Sequence, residues 1–345
     1  MPIPSESLSG LKLNDGWEVI EKLSKHPGAT GGSFSCGYKV KNNKNVAYLK
    51  ALDFSEAFKD PDPPRRLQIL TEAYNFERDL LLKCKSNHLT KIVTPVTDGS
   101  IDVQGFPIGI GKVYYIIFDL ADGDIRKIRD TFQKIDLAFS FRALHNTAVG
   151  LEQLHRSGIA HQDLKPSNIM GFKEVYKVGD LGRSSDINKP FWYDRIQFPG
   201  DRNYSPLEQY YGFHFSNDFN EKYASDMYLF GSLFYFFFSG LSASQVLLEK
   251  ARRLGISIVS DFDADIPEWE RAFSETLVDL SKSLKSLLAK DRVDDIILLV
   301  KYLCHPDPRK RGFPKNIATQ NQQYSFIRFI SKLDIFAKEA ELGII

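Results

Sequence analysis

The spacing of apolar residues changes near residue 120. Ahead of it, runs rich in β-branched and aromatic residues, Val46-Ala47-Tyr48-Leu49 and Val113-Tyr114-Tyr115-Ile116-Ile117-Phe118, alternate with turn signals and predict strands. Between them, Leu70, Tyr74 and Leu81 recur at helical spacing, which predicts one amphipathic helix over 67–85. The segment Asp60-Pro61-Asp62-Pro63-Pro64 is expected to stop any helix before it. Beyond 120 the pattern is mostly helical. Leu144, Ala148, Leu151 and Leu154 share one face of a helix expected over 137–157, and further helices are expected at 224–239, 243–254, 267–289, 293–304 and 325–341. The most apolar stretch, Met227 to Phe238, is too short for a membrane span and is bounded by Asp226 and Gly240, so it reads as a buried core helix. Phe326, Phe329, Ile330, Leu333 and Phe336 give the tail an apolar face, expected to dock on the helical part, with a partner site as the alternative. The fold class is therefore α+β, a small strand-rich part followed by a larger helical one.

Composition narrows the picture further. The chain has 345 residues, 43% of them hydrophobic and 26% charged, which suits a globular protein with two sizeable cores. A net charge of +1 gives no electrostatic case for nucleic acid or a membrane as partner. Cys36, Cys84 and Cys304 are odd in number and far apart, and read as free thiols in a reducing compartment. The N-terminus lacks the basic and then apolar run of a signal peptide, so a cytoplasmic location is expected.

Candidate chemistry lies at His161-Gln162-Asp163-Leu164-Lys165-Pro166-Ser167-Asn168, followed by Gly179-Asp180-Leu181-Gly182. Asp163 can accept a proton from an attacking hydroxyl. Lys165 can neutralise charge on a moving phosphoryl group. Asn168 and Asp180 offer oxygen ligands to hard Mg²⁺ ions. Phosphoryl transfer needs such positioning and electrostatics more than covalent help. The two segments resemble the catalytic loop and metal-binding segment of eukaryotic-type Ser/Thr protein kinases. The resemblance implies ATP and Mg²⁺ as cofactors, a protein Ser/Thr substrate and a bilobal fold. It places a nucleotide-binding N-lobe at 15–120, a catalytic C-lobe at 121–315 and a C-terminal helical extension on that lobe at 316–345. Nucleotide would sit between the lobes, with a hinge at 119–123.

It also implies roles for other residues. Lys50, ending Val46-Ala47-Tyr48-Leu49-Lys50, would hold the α- and β-phosphates, oriented by Glu77 or Glu72, with Glu77 favoured. Ile92-Val93 would be the strand after that helix. Gly28, Gly31, Gly32 and Phe34 would belong to the glycine-rich loop, although only Gly32 falls on a glycine of Gly-x-Gly-x-x-Gly. Phe118 would back the adenine pocket, and the backbone of Asp119 and Ala121 would face the adenine edge. His161, Glu208, Asp226 and Arg311 would support the site, with Glu208 and Arg311 as an ion pair.

Departures from the pattern carry expectations of their own. Gln162 replaces the arginine that in many kinases pairs with a phosphorylated activation-loop residue, so activity is expected without that phosphorylation. Ser184, Ser185 and Tyr193 still offer hydroxyls for modification. The cluster Phe191-Trp192-Tyr193 either packs on the protein's own surface or receives a peptide. Gly200-Asp201 stands where many kinases have Gly-Thr. The charged helices at 241–300 are read as a docking place for a regulatory partner. No appended domain is recognisable, so the chain reads as a stand-alone catalytic domain. A pseudokinase scaffold and a small-molecule phosphotransferase are the competing functions.

Overall fold

A period of two runs through the strands of the N-terminal half. Strands β1 (Glu18–Lys22), β2 (Ser35–Asn42), β3 (Asn45–Leu52), β4 (Pro95–Asp102) and β5 (Lys112–Asp119) form one antiparallel sheet in the order β1-β2-β3-β5-β4. Tyr38 and Val40, Leu49 and Ala51, and Tyr115 and Ile117 bury one face of it. Leu8, Leu13 and Trp17 close over that face, so residues ahead of 15 share its core. Lys50 and Phe118 lie on the opposite face, as the alternation requires. The computed structural model describes residues 3–24, 35–43, 45–52, 54–106, 110–216, 219–258, 261–318 and 322–345. Its contacts divide into two units, Met1–His88 with Val93–Asp122, and Leu89–Ile92 with Gly123–Ile345.

In the first unit, helix α1 (Pro63–Ser86) starts inside the prolines expected to precede it. Proline suits the first helical turn, where its missing N–H would have no partner, and the Asp62 side chain caps the turn by accepting from Arg65 N. Tyr74, Phe76, Glu77, Leu80, Leu81 and Cys84 form its buried face.

The second unit opens with β6 (Gly123–Asp124), α2 (Ile125–Arg129) and α3 (Leu137–Arg156), followed by short strands β7 (Ile159–Ala160), β8 (Ile169–Phe172), β9 (Val175–Val178) and β10 (Ser185–Asp186). These strands pair as β6-β8-β9 and β7-β10. Ile92, expected in a strand, makes a single parallel bridge to Val178 within this unit, and the next strand begins only at Pro95. Helices α4 (Leu207–Tyr211), α5 (Asn220–Ser239), α6 (Ala243–Arg253), α7 (Phe262–Leu284), α8 (Lys290–Leu303), α9 (Pro314–Ile317) and α10 (Ile327–Glu341) complete it. From Ala224 to Phe238, α5 is buried all round, which explains its unbroken apolar run. Among the described residues no single helix is long and apolar enough to cross a membrane.

Helix α7 begins five residues before the expected 267, so Pro267 lies inside it. A proline in the second turn removes one backbone bond, but Phe262, Ile266, Trp269 and Phe273 form a buried stripe through it that holds the turn. Helix α10 lays Phe329, Leu333 and Phe336 inward, with the Phe336 ring 5.4 Å from Phe141 of α3. Arg142 of α3 donates to both oxygens of Glu341 at 2.7 Å.

Candidate active site

In the first unit, β3 sets Lys50 opposite Gly37 of β2 and Ile116 of β5. Its ammonium lies 2.7 Å from Glu77 Oε1. Glu77 is buried on α1, whereas Glu72 is exposed and accepts from Gln68. Of the two candidate glutamates the structure therefore brings Glu77 to Lys50. Phe118 is buried near the end of β5, its ring 6.5 Å from that of Tyr48, and Asp119 ends the strand. Ala121 follows just before the unit's boundary at Asp122. Gly28, Gly31, Gly32 and Phe34 lie outside the described residues.

The second unit gathers the remaining candidates. The loop between β7 and β8 carries Asp163, and its backbone is held from α5. Both carboxylate oxygens of the fully buried Asp226 accept backbone N–H groups, from His161 at 2.7 Å and Gln162 at 2.8 Å. Burial alone would raise the Asp226 carboxyl. Its hydrogen bond to His155 at 2.9 Å, with the charges of His155 and His161 and the Gln162 N–H, outweighs burial and holds the carboxyl below its ordinary value. Gln162 sits at φ 63°, a left-handed conformation that a non-glycine residue keeps only when its surroundings impose it. His161 is buried, with Nε2 3.0 Å from Gly179 O, next to Asp180.

Three residues fix Asp163. Lys165 Nζ lies 3.2 Å from Oδ1 and 3.1 Å from Oδ2. Asp201 N donates to Oδ1 at 2.8 Å. Asn168 Nδ2 donates to the Asp163 carbonyl at 2.8 Å and approaches Oδ2 at 3.4 Å. Burial pushes the Asp163 carboxyl above its ordinary value and the charge of Asp180 adds to the push, while Lys165 and the Asp201 N–H pull it back. The donor set suits Mg²⁺, a hard ion that takes one or two carboxylates and borrows phosphate oxygens. Because Asn168 spends its amide N–H on Asp163, its Oδ1, touched by the Ser167 hydroxyl at 3.2 Å, is the atom left to face a cation. Asp180 supplies a carboxylate from a left-handed turn at φ 58°.

Gly200 and Asp201, which stand where many kinases have Gly-Thr, complete the site. A Cβ on Gly200 would lie 2.5 Å from Gln162 O and 2.7 Å from Asp163 Oδ1, so only glycine lets this segment reach Asp163. The Asp201 carboxylate lies 3.8 Å from Lys165 Nζ. Their place in the Gly-Thr position of the kinase pattern was the signal in the sequence. His155 gave none, since its partner Asp226 is 71 residues away.

Beyond the loop, Ser184 and Ser185 are buried, the first donating to His161 O at 3.2 Å and the second to Asp194. Tyr193 is also buried, under the Arg183 guanidinium at 4.4 Å and beside Trp192 at 3.9 Å. Most of the aromatic cluster thus packs on its own unit, with Trp192 40% exposed. Arg311, fully buried, donates to both oxygens of Glu208 at 2.6 Å and to the carbonyls of Ala224 and His305. Removing either partner would strand a buried charge, at a cost of about 3–5 kcal/mol. Cys36, Cys84 and Cys304 are buried.

Comparison with known proteins agrees with this geometry. Residues 28–324 match the family model of the protein kinase domain. The serine/threonine-protein kinase MPS1 of Saccharomyces cerevisiae is 29% identical over 194 residues, covering 54% of this chain and 22% of that protein. Serine/threonine-protein kinase greatwall of Danio rerio is 28% identical over 116 residues, 33% of this chain and 12% of that protein. A Wee1-like protein kinase of Oryza sativa subsp. japonica is 32% identical over 97 residues, 28% of this chain and 18% of the relative. In each case the match spans less than a quarter of the relative's own length.

Proposed function

The chain belongs to the protein kinase family, and from that premise we propose that it transfers the γ-phosphoryl group of ATP to serine or threonine hydroxyls of a protein substrate. The observation that carries the reading is Asp163, a buried carboxylate held at once by Lys165, the Asn168 amide and the Asp201 backbone N–H. Such a group can accept the proton of an incoming hydroxyl while Lys165 faces the charge on the transferred phosphoryl. Lys50, kept in place by Glu77, is the cation for the other phosphates. Asn168 and Asp180 would hold Mg²⁺, which when bound neutralises and orients phosphate oxygens. Lys165 within Asp163-Leu164-Lys165-Pro166 favours serine and threonine over tyrosine as acceptor, and relatives named as serine/threonine kinases support the same choice. Gln162, unable to form a charge-assisted pair with a phosphate, supports activity that does not wait for activation-loop phosphorylation.

The test is phosphate transfer from ATP with Mg²⁺ to a protein acceptor by wild type and Asp163→Ala. Losing the base should cost on the order of 10²-fold or more in kcat. Equal incorporation by the two proteins would contradict the assignment.

A further inference from the structure

We infer that Asp194 is a positioning residue for the catalytic loop, a built-in anion that docks the segment after Asp180 onto α5 without added phosphate. The inference rests on Asp163 being the catalytic base. Asp194 lies in a single turn of 3-10 helix, Trp192–Arg195, where its side chain is largely buried. Its three partners come from three places. Oδ2 accepts the Phe191 N–H at 2.7 Å, Oδ1 accepts the Ser185 hydroxyl, and Lys222 Nζ of α5 lies 3.1 Å from Oδ1. A carboxylate so placed satisfies the segment's own backbone and binds it to a helix by charge.

That helix also grips the loop. Lys222 and Asp226 are four residues apart and so share a face of α5. Asp226 takes the N–H groups of His161 and Gln162, and the Gln162 side-chain amide donates to Lys222 O at 2.8 Å and Asp226 Oδ1 at 3.1 Å. Gln162 therefore meets, through its amide, the residue whose ammonium holds Asp194. The left-handed backbone at Gln162 needs such restraint, and Asp163 follows directly. Strand β10 adds a second tie, pairing Ser185 and Asp186 with Ala160 and Ile159 just ahead of the loop. With glutamine in place of an arginine, position 162 offers no cation that would pair with a phosphate. Asp194 and Lys222 supply the link instead.

The test uses the full chain with ATP, Mg²⁺ and a protein acceptor. Asp194→Asn keeps the shape and removes the charge. Small displacements of a catalytic group are worth on the order of 10²-fold, so its kcat should fall by about 10–100-fold, with KM for ATP within about twofold. Asp194→Glu should recover part of the rate, and the exchange of Asp194→Lys with Lys222→Asp should exceed either single change. Phosphatase-treated wild type should keep its rate. Amide hydrogen exchange over 185–196 should quicken in Asp194→Asn. An unchanged kcat in Asp194→Asn, or unchanged exchange over 185–196, would overturn the inference. A wild type that transfers no phosphate would defeat the kinase reading instead, and the exchange measurement would still decide whether Asp194 holds the segment.

Discussion

Asp163 has to act as a base in a place that disfavours its charge. Burial and Asp180 raise its pKa above the usual value of 3.8, while Lys165 and the Asp201 N–H oppose them. The base works only when deprotonated, so activity must fall as pH drops through the raised value. Lys165→Met removes a lowering influence. The acid limb of its kcat/KM profile should therefore move to higher pH, with a lower plateau, because the cation facing the phosphoryl group is also gone. A limb at the wild-type pH would show that Asp163 does not titrate in the reaction or is not coupled to Lys165. Asp163, Lys165 and Asn168 could be read from the sequence because eight consecutive residues contain all three. Gly200 and Asp201 showed only as a departure from Gly-Thr and His155 not at all, because their partners lie 38 and 71 residues away along the chain. The same holds for Asp194, an ordinary acidic loop residue until the fold brings it to Lys222.

At the scale of elements, the turn after α8 ties a helix end to the Glu208–Arg311 pair, and it depends on a neutral histidine. His305 Nδ1 accepts the Asp307 N–H at 3.1 Å, which a protonated ring cannot do. Burial lowers its pKa to about 4, reinforced by Arg311 and Lys310 and opposed by Glu270 and Asp307. The unfolded chain takes up this proton near the ordinary value of 6.5 while the folded chain resists it. Stability from this group is thus full above pH 6.5 and declines as pH falls toward about 4, by on the order of 3 kcal/mol. Thermal unfolding of His305→Asn, which keeps an acceptor oxygen, should be less sensitive to pH across that window than wild type. Equal slopes would remove His305 as the cause. Periodicity located α3, α6 and α10 closely because each carries a sustained apolar face, and it set the start of α5 four residues late. It set the starts of α1 and α7 late, by four and five residues, and for α1 because proline was read as a boundary. In α1 the prolines form the first turn, and in α7 tertiary packing outweighs one lost backbone bond.

For the whole molecule, strand-like spacing in the N-terminal part and helical spacing after it correspond to a sheet region followed by a helical one, because a half-buried sheet and a buried helix leave different patterns. The kinase reading came from motifs rather than periodicity, and the family match over 28–324 rests on the same stretch of chain. The glycine-rich segment is where motif and family diverge most, since two of its three expected glycines are Thr30 and Ser35. The account makes one claim above all, that Asp163 and the Asn168–Asp180 ligand pair transfer phosphate from ATP. The most direct measurement is transfer from labelled ATP with Mg²⁺ to a generic basic protein, wild type beside Asp180→Ala. The account predicts incorporation by the wild type that the variant loses by on the order of 10²-fold or more. Incorporation unchanged in Asp180→Ala, or nucleotide binding by the wild type with no transfer to any protein, would contradict it.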